Sequence, residues 1–115
     1  MDFAAAVAAR ALAYDGAYAD HPWGHESPVY KNAKGKIFVF SGDDERGFHI
    51  TVKMTPDEGA EAMLLPFVER APYVGRFGWV TVHLASELEW DIAGPWVDRS
   101  YELVAGKGRT RPPRR

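Results

Sequence analysis

Between Val29 and Met54 the apolar residues fall into three short runs separated by two polar turns. Ile37-Phe38-Val39-Phe40 is apolar on both faces, rich in β-branched and aromatic residues, and flanked by Gly35 and Gly42, which predicts an interior strand. Residues 48–54 alternate, with Phe48, Ile50, Val52 and Met54 on one face and His49, Thr51 and Lys53 on the other. That period of two marks a strand with one buried and one solvated face. Residues 32–35 and 41–47 are short, polar and glycine-bearing, as hairpin loops are. The pattern predicts an antiparallel three-stranded unit with two protruding turns. The first turn is basic (Lys31, Lys34, Lys36) and the second mostly acidic (Asp43, Asp44, Glu45, then Arg46).

The flanking segments read as helices and one more strand. Phe3, Val7, Ala11 and Tyr14 recur at helical spacing behind a capping Asp2, predicting an amphipathic helix over 3–14 that Asp15-Gly16 stops. Thr55-Pro56-Asp57-Glu58 combines an N-cap, a first-turn proline and a capping box, opening a helix that ends before Pro66. Residues 67–77 look irregular. Residues 79–84 alternate as a fourth strand, with Val80, Val82 and Leu84 opposite Trp79, Thr81 and His83. Ser86 and Glu89 form another capping box, before an apolar stripe of Leu88, Ile92, Trp96 or Val97, Leu103 and Val104. Gly94-Pro95 should kink or divide this last helix into a short turn and a main part from about 93 to 105, with Gly106 ending it. The order is α-β-β-β-α-β-α, a single α+β domain with an antiparallel sheet covered by helices on one face.

A chain of 115 residues makes one domain, here 1–106, followed by a basic tail, 107–115, expected to be flexible. The tail carries five basic side chains and no acid, which leaves nine basic against sixteen acidic side chains in the body. The body is therefore acidic. The tail can contact phosphates or simply be solvated. Cysteine is absent, removing disulfides, thiolate nucleophiles and thiolate metal sites. No apolar run approaches the ~20 residues of a bilayer span, and the first residues carry Asp2 without a basic leader, so a cytoplasmic protein without membrane contact is expected.

Taken together, several landmarks resemble the MmcQ/YjbR-like family, which has a CyaY-like fold. They are the Pro22-Trp23-Gly24 turn, the Gly35-Lys36-Ile37-Phe38 strand opening, Lys53 at the end of the alternating strand, and the Thr55-Pro56-Asp57-Glu58 helix start. Gly75 to Trp79-Val80-Thr81-Val82 and Ser100-Tyr101-Glu102-Leu103-Val104-Ala105 complete the series. The resemblance spans nearly the whole chain to Lys107 and implies a "double wing" α+β domain described as DNA-binding. It carries no catalytic motif across. The acidic body departs from the basic balance usual in such modules, so a DNA-binding reading must rest on local cations.

Those local cations are Lys31, Lys34 and Lys36 in the first turn, and Lys53 beside Trp79 on the outward sheet face with Arg76 close by. Contacts of this kind favour phosphates over bases and imply little sequence preference. The lysines of the first turn have another explanation, since charges keep an edge hairpin soluble. A metal reading of His21 and His25 with Asp20 and Glu26 lacks the helical i, i+4 spacing, because Pro22 and Gly24 break any helix there; no metal or cofactor is expected. Trp23 is expected to tuck over the end of the sheet as part of the core. Gly75-Arg76-Phe77-Gly78 is too short for a nucleotide-binding glycine motif, and Ser27, Ser41, Ser86 and Ser100 lack a nucleophile-elbow context. Asp43, Asp44 and Glu45 are better explained as a solvated turn than as an acid/base pair. The expectation is a non-enzymatic DNA-binding protein. The alternative is a small-molecule or protein-binding module, such as a homodimer, using the aromatic outer face.

Overall fold

The computed structural model describes residues 1–24, 27–72 and 74–106, with the backbone but not the side chain of Arg76. The chain runs α1 (Phe3–Ala11), β1 (Tyr18–Asp20), β2 (Val29–Lys31), β3 (Ile37–Asp44), β4 (Gly47–Lys53), α2 (Pro56–Ala62) and β5 (Val68–Arg70). A 3-10 turn (Gly75–Phe77), β6 (Trp79–His83) and α3 (Glu87–Ala105) complete it. The strands form one antiparallel sheet ordered β1-β2-β3-β4-β6-β5.

Alternation decides which face is buried. Val39, Ile50, Val52, Val80 and Val82 are fully or almost fully buried together with Val7, Ala11, Ala93 and Val97 of the helices. Burying each such valine or isoleucine is worth roughly 1.5–3 kcal/mol. Hydrogen bonds then fix the helices over this face. Asp2 accepts the Ala5 N–H at 3.0 Å, and both predicted capping boxes form, Thr55 with Glu58 and Ser86 with Glu89. Arg99 clamps α3 to α2 through Glu58 at 3.0 Å, and Arg10 clamps α1 to α3 through Asp98 at 2.7 Å. Tyr14 also donates to Asp98 and stacks on Tyr101 with ring centres 3.8 Å apart.

A β-bulge sets the geometry of the sheet's centre. Tyr30 pairs with Val39 but Lys31 pairs with Ile37, so Phe38 is the additional residue. It turns inward, fully buried, and meets Tyr14 and Tyr101 edge to face at 6.0 and 5.0 Å. Continuing the β3–β4 register beyond Val39 and Val52 would bring Phe38 opposite Lys53. At that point the Ser100 hydroxyl of α3 bridges the strands, donating to the Phe38 carbonyl at 2.6 Å and accepting the Lys53 N–H at 2.8 Å.

The structure departs from the sequence-based expectation in several places. β1 and β5 add two edge strands of three residues each, and β5 falls within the segment expected to be irregular. β3 continues through polar Ser41 to Asp44, leaving a turn of Glu45 and Arg46 only, because these residues pair in register with Gly47 to Ile50. α1 ends at Ala11 and α2 at Ala62, each earlier than expected. α3 runs unbroken through Pro95. Pro95 and Asp91, whose carbonyl the proline leaves without its helical donor, both lie on the solvent side, where water can replace the lost bond. The buried stripe of α3 is Ala93, Gly94, Val97 and Ser100, flanked by Trp90, Tyr101 and Val104, whereas Leu88 is exposed. Trp23 is not a core residue, being 62% exposed. The basic tail, His25 and Glu26 lie outside the described residues.

Candidate nucleic-acid interface

All three helices pack on one face of the sheet and leave the other to the loops. On the second face, the register places Lys53 beside Trp79, Thr51 beside Thr81, and His49 beside His83 on β4 and β6. Phe40 of β3 continues the threonine row, Gly42 continues the histidine row, and Glu69 of β5 flanks Thr81. The threonine hydroxyls are 2.9 Å apart and satisfy each other, which allows Thr81 to be buried at the sheet centre. The His49 ring lies over Gly42, so close that a Cβ on Gly42 would come within 2.6 Å of Nε2.

An aromatic row crosses this face. The Phe40 ring meets Trp79 edge to face at 5.5 Å and stacks against Trp23 at 6.5 Å with 18° between planes. Trp23 follows β1, and with Pro28, Val29 of β2, Phe40, Gly42 and His49 it lines a groove of about 950 Å³ that also reaches Ala4 and Phe48 at the helix-covered side. Asp43 and Asp44 form part of its rim.

Charge is distributed unevenly between the two ends of the sheet. Lys34 and Lys36 lie in the β2–β3 turn and Lys53 ends β4, whereas Arg70 ends β5 opposite the core residue Val80 and so lies on the helix-covered face, beside Pro56 and Met63 of the α2 segment. These four sit at one end of the sheet, and among the described residues they are the cations without an ion pair. The backbone of Arg76 lies at the same end, just before β6. Lys31 lies near this end as well, but its ammonium turns away along the sheet to Asp20, at 2.6 Å. That bond raises the Lys31 pKa and lowers that of Asp20, where the His21 N–H adds a second donor. The opposite end bears Asp43, Asp44 and Glu45. Between the ends, Glu69 accepts from His83 Nε2 at 2.5 Å and from Arg46 at 3.3 Å, and the histidine bond foremost holds its carboxyl below the usual range. Asp57 and Glu61 of α2 are exposed but belong to the helical layer.

Of the residues singled out in the sequence, Lys34, Lys36, Lys53 and Trp79 thus share one end of the sheet, with Lys53 and Trp79 on its open face. Lys31 is placed there with its charge engaged, and the Arg76 side chain is outside the described residues. Phe40 and Trp23 join Trp79 on this face. The bulge at Phe38 resets the alternation, so the outward direction of Phe40 cannot be counted from Ile37.

A search of the curated proteins found no match. Solved structures share the fold, two of them as follows. The Deinococcus radiodurans protein DR2400, with a DUF419 domain, superposes with a TM-score of 0.77 at 21% identity, covering 91% of this chain and 80% of that one. A Pseudomonas syringae protein superposes with a TM-score of 0.70 at 19% identity, covering 90% of this chain and 99% of that one. The family model YjbR matches residues 12–103, from the end of α1 through most of α3 and so across the whole sheet, and the chain belongs to the YjbR family.

Proposed function

We propose that this chain is a non-enzymatic DNA-binding protein that holds the phosphate backbone at the cationic end of its open sheet face, with little preference for sequence. Lys34 and Lys36 on the projecting turn and Lys53 on the sheet supply the phosphate contacts, Trp79 packs beside them, and Arg76 follows from its position before β6. The observation that carries this reading is that the cations left without an ion pair among the described residues gather at one end of an acidic body. Lys31 serves less directly, since Asp20 must release it first.

Three phosphate contacts lower affinity ~40-fold between roughly 50 and 200 mM salt, because each releases condensed counterions. Titration of a short duplex across that range tests the reading. Lys34→Ala combined with Lys36→Ala should flatten the slope by about two contacts; absence of binding at low salt refutes it. The partly exposed Phe40, Trp79 and Trp23 support a second reading, a small-molecule or protein-binding module such as a homodimer closed over this face. Light scattering would then give a doubled mass. No helix among the described residues is long and apolar enough to cross a membrane, and a cytoplasmic location accords with the proposal.

A further inference from the structure

We propose that the groove between α2 and α3 is a docking site for this chain's own arginine-rich stretch, residues 107–115. The docking is independent of the nucleic-acid reading, since it uses the helical layer rather than the open sheet face. Met54, Leu64, Leu65 and Trp96 line a groove of about 490 Å³ there, together with Glu58 and Glu61. Leu64 is 83% exposed although it adjoins the groove, so a large apolar side chain stands uncovered at its edge. Trp96 is half-buried against the core and meets no other aromatic ring among the described residues.

Charge selects the occupant. α2 has no basic residue, and the one in α3, Arg99, is already bonded to Glu58 and Glu102. Glu61, and Asp57 one turn before it, are exposed and without an ion pair among the described residues. The groove is thus anionic as well as apolar. Residues 107–115 have the complementary character, five cations and no acid, with Pro112-Pro113 set between arginines. Prolines settle into grooves lined by aromatic rings at small ordering cost, and guanidinium forks match carboxylates. Reach is sufficient. Trp96, Arg99, Leu103 and Gly106 recur at three- and four-residue spacing, so Gly106 caps α3 on the side that bears the groove. Trp96 lies about 15 Å back along the helix from Gly106, whereas nine extended residues span about 30 Å. So short a tether gives a roughly millimolar effective concentration, at which individually weak surface pairs suffice.

The chain has no cysteine, so Thr110→Cys gives the full-length protein a single attachment point for a nitroxide. In proton–nitrogen spectra at low salt, the amides of residues 61–65 and the Trp96 indole should broaden severalfold more than the amides of residues 43–45. Those residues are the rival acidic cluster, at the tip of the β3–β4 hairpin. Glu61→Lys and Leu64→Ser each replace an exposed side chain, and each should remove most of the broadening while leaving the circular dichroism unchanged. Equal broadening at 43–45 overturns the inference, because the stretch then follows negative charge wherever it lies. Broadening that survives both substitutions also overturns it, since proximity to the end of α3 alone would explain the signal. A mixture of labelled chain with unlabelled, nitrogen-15-enriched chain separates the remaining case. Broadening of the enriched chain assigns the groove to the tail of a second copy and overturns docking within one chain; sharp signals there support it.

Discussion

Replacing Ser100 with alanine removes one oxygen from a site with no access to solvent. That oxygen satisfies two backbone groups at once, the Phe38 carbonyl at 2.6 Å and the Lys53 N–H at 2.8 Å, just beyond the last β3–β4 pair, Val39 and Val52. Each bond is worth about 0.5–1.5 kcal/mol net, and a buried backbone group left without a partner costs about 1–3 kcal/mol. The expected loss for Ser100→Ala is therefore ~2–4 kcal/mol. Unfolding entropy of ~2.1 cal/mol/K per residue makes each kcal/mol worth about 4 °C at this chain length, so Tm should fall by roughly 8–16 °C. Urea unfolding followed by circular dichroism and by tryptophan fluorescence measures the loss, and the Lys53 amide should lose hydrogen-exchange protection in parallel. A loss under about 0.5 kcal/mol with an unchanged m-value would refute the reasoning. It would mean that β3 and β4 close on each other and make the Lys53-to-Phe38 bond directly, with the serine a bystander.

Other expectations follow from the same contacts. Gly78 has φ +96° and a Cβ there would sit 1.9 Å from the Met54 carbonyl oxygen, so Gly78→Ala should cost on the order of 3 kcal/mol or prevent folding, as thermal denaturation will show. Burial penalises the Glu58 charge, but the Arg99 bonds and the Thr55 N–H outweigh that penalty and hold its carboxyl low. A depressed carboxyl stabilises the fold above the unfolded value of about 4.3 and loses that contribution as pH falls through the lower folded value. Stability should accordingly decline in acid, and Arg99→Met should flatten the decline in urea titrations at several pH values. Burial first, and the Asp98 bond second, push the Tyr14 phenol far above the ordinary tyrosine range. Ultraviolet titration should find it protonated until alkaline unfolding, and Asp98→Asn should release it earlier. Glu69→Gln removes a carboxylate from the open face and releases Arg46 from its ion pair, so oligonucleotide affinity measured at low salt should rise.

The parts legible in the sequence are those where side-chain period and local chemistry agree. Val80, Val82 and the alternating run from Phe48 to Met54 occupy the face assigned to them, and Thr55 and Ser86 cap their helices through the glutamates three residues on. Tyr18–Asp20 and Val68–Arg70 escaped notice because a three-residue edge strand is defined by its neighbour's hydrogen bonds rather than by a pattern of its own. The α3 stripe was displaced because its buried positions are small or polar: Ala93, Gly94 and Ser100 let the helix approach the sheet, whereas Leu88 is drawn to no core. At the candidate site, the sequence singles out Lys34, Lys36, Lys53 and Trp79, which the fold brings to one end of the sheet. It could not reveal that Lys31 is engaged by Asp20, eleven residues earlier, or that Phe40 and Trp23 stack. Those depend on where a bulge turns a side chain and where a loop lands.

The lysine-bearing β2–β3 turn and the acidic Asp43, Asp44 and Glu45 of the β3–β4 hairpin stand at opposite ends of the strands, a separation of charge directed along them. In the field of a polyanion such a body experiences a torque before it makes any contact, and it arrives with the same end forward each time. The alignment reaches only about a Debye length, ~10 Å at 0.1 M salt, so it shortens as the ionic strength rises. If the DNA-binding proposal holds, capture should slow with added salt for that reason alone.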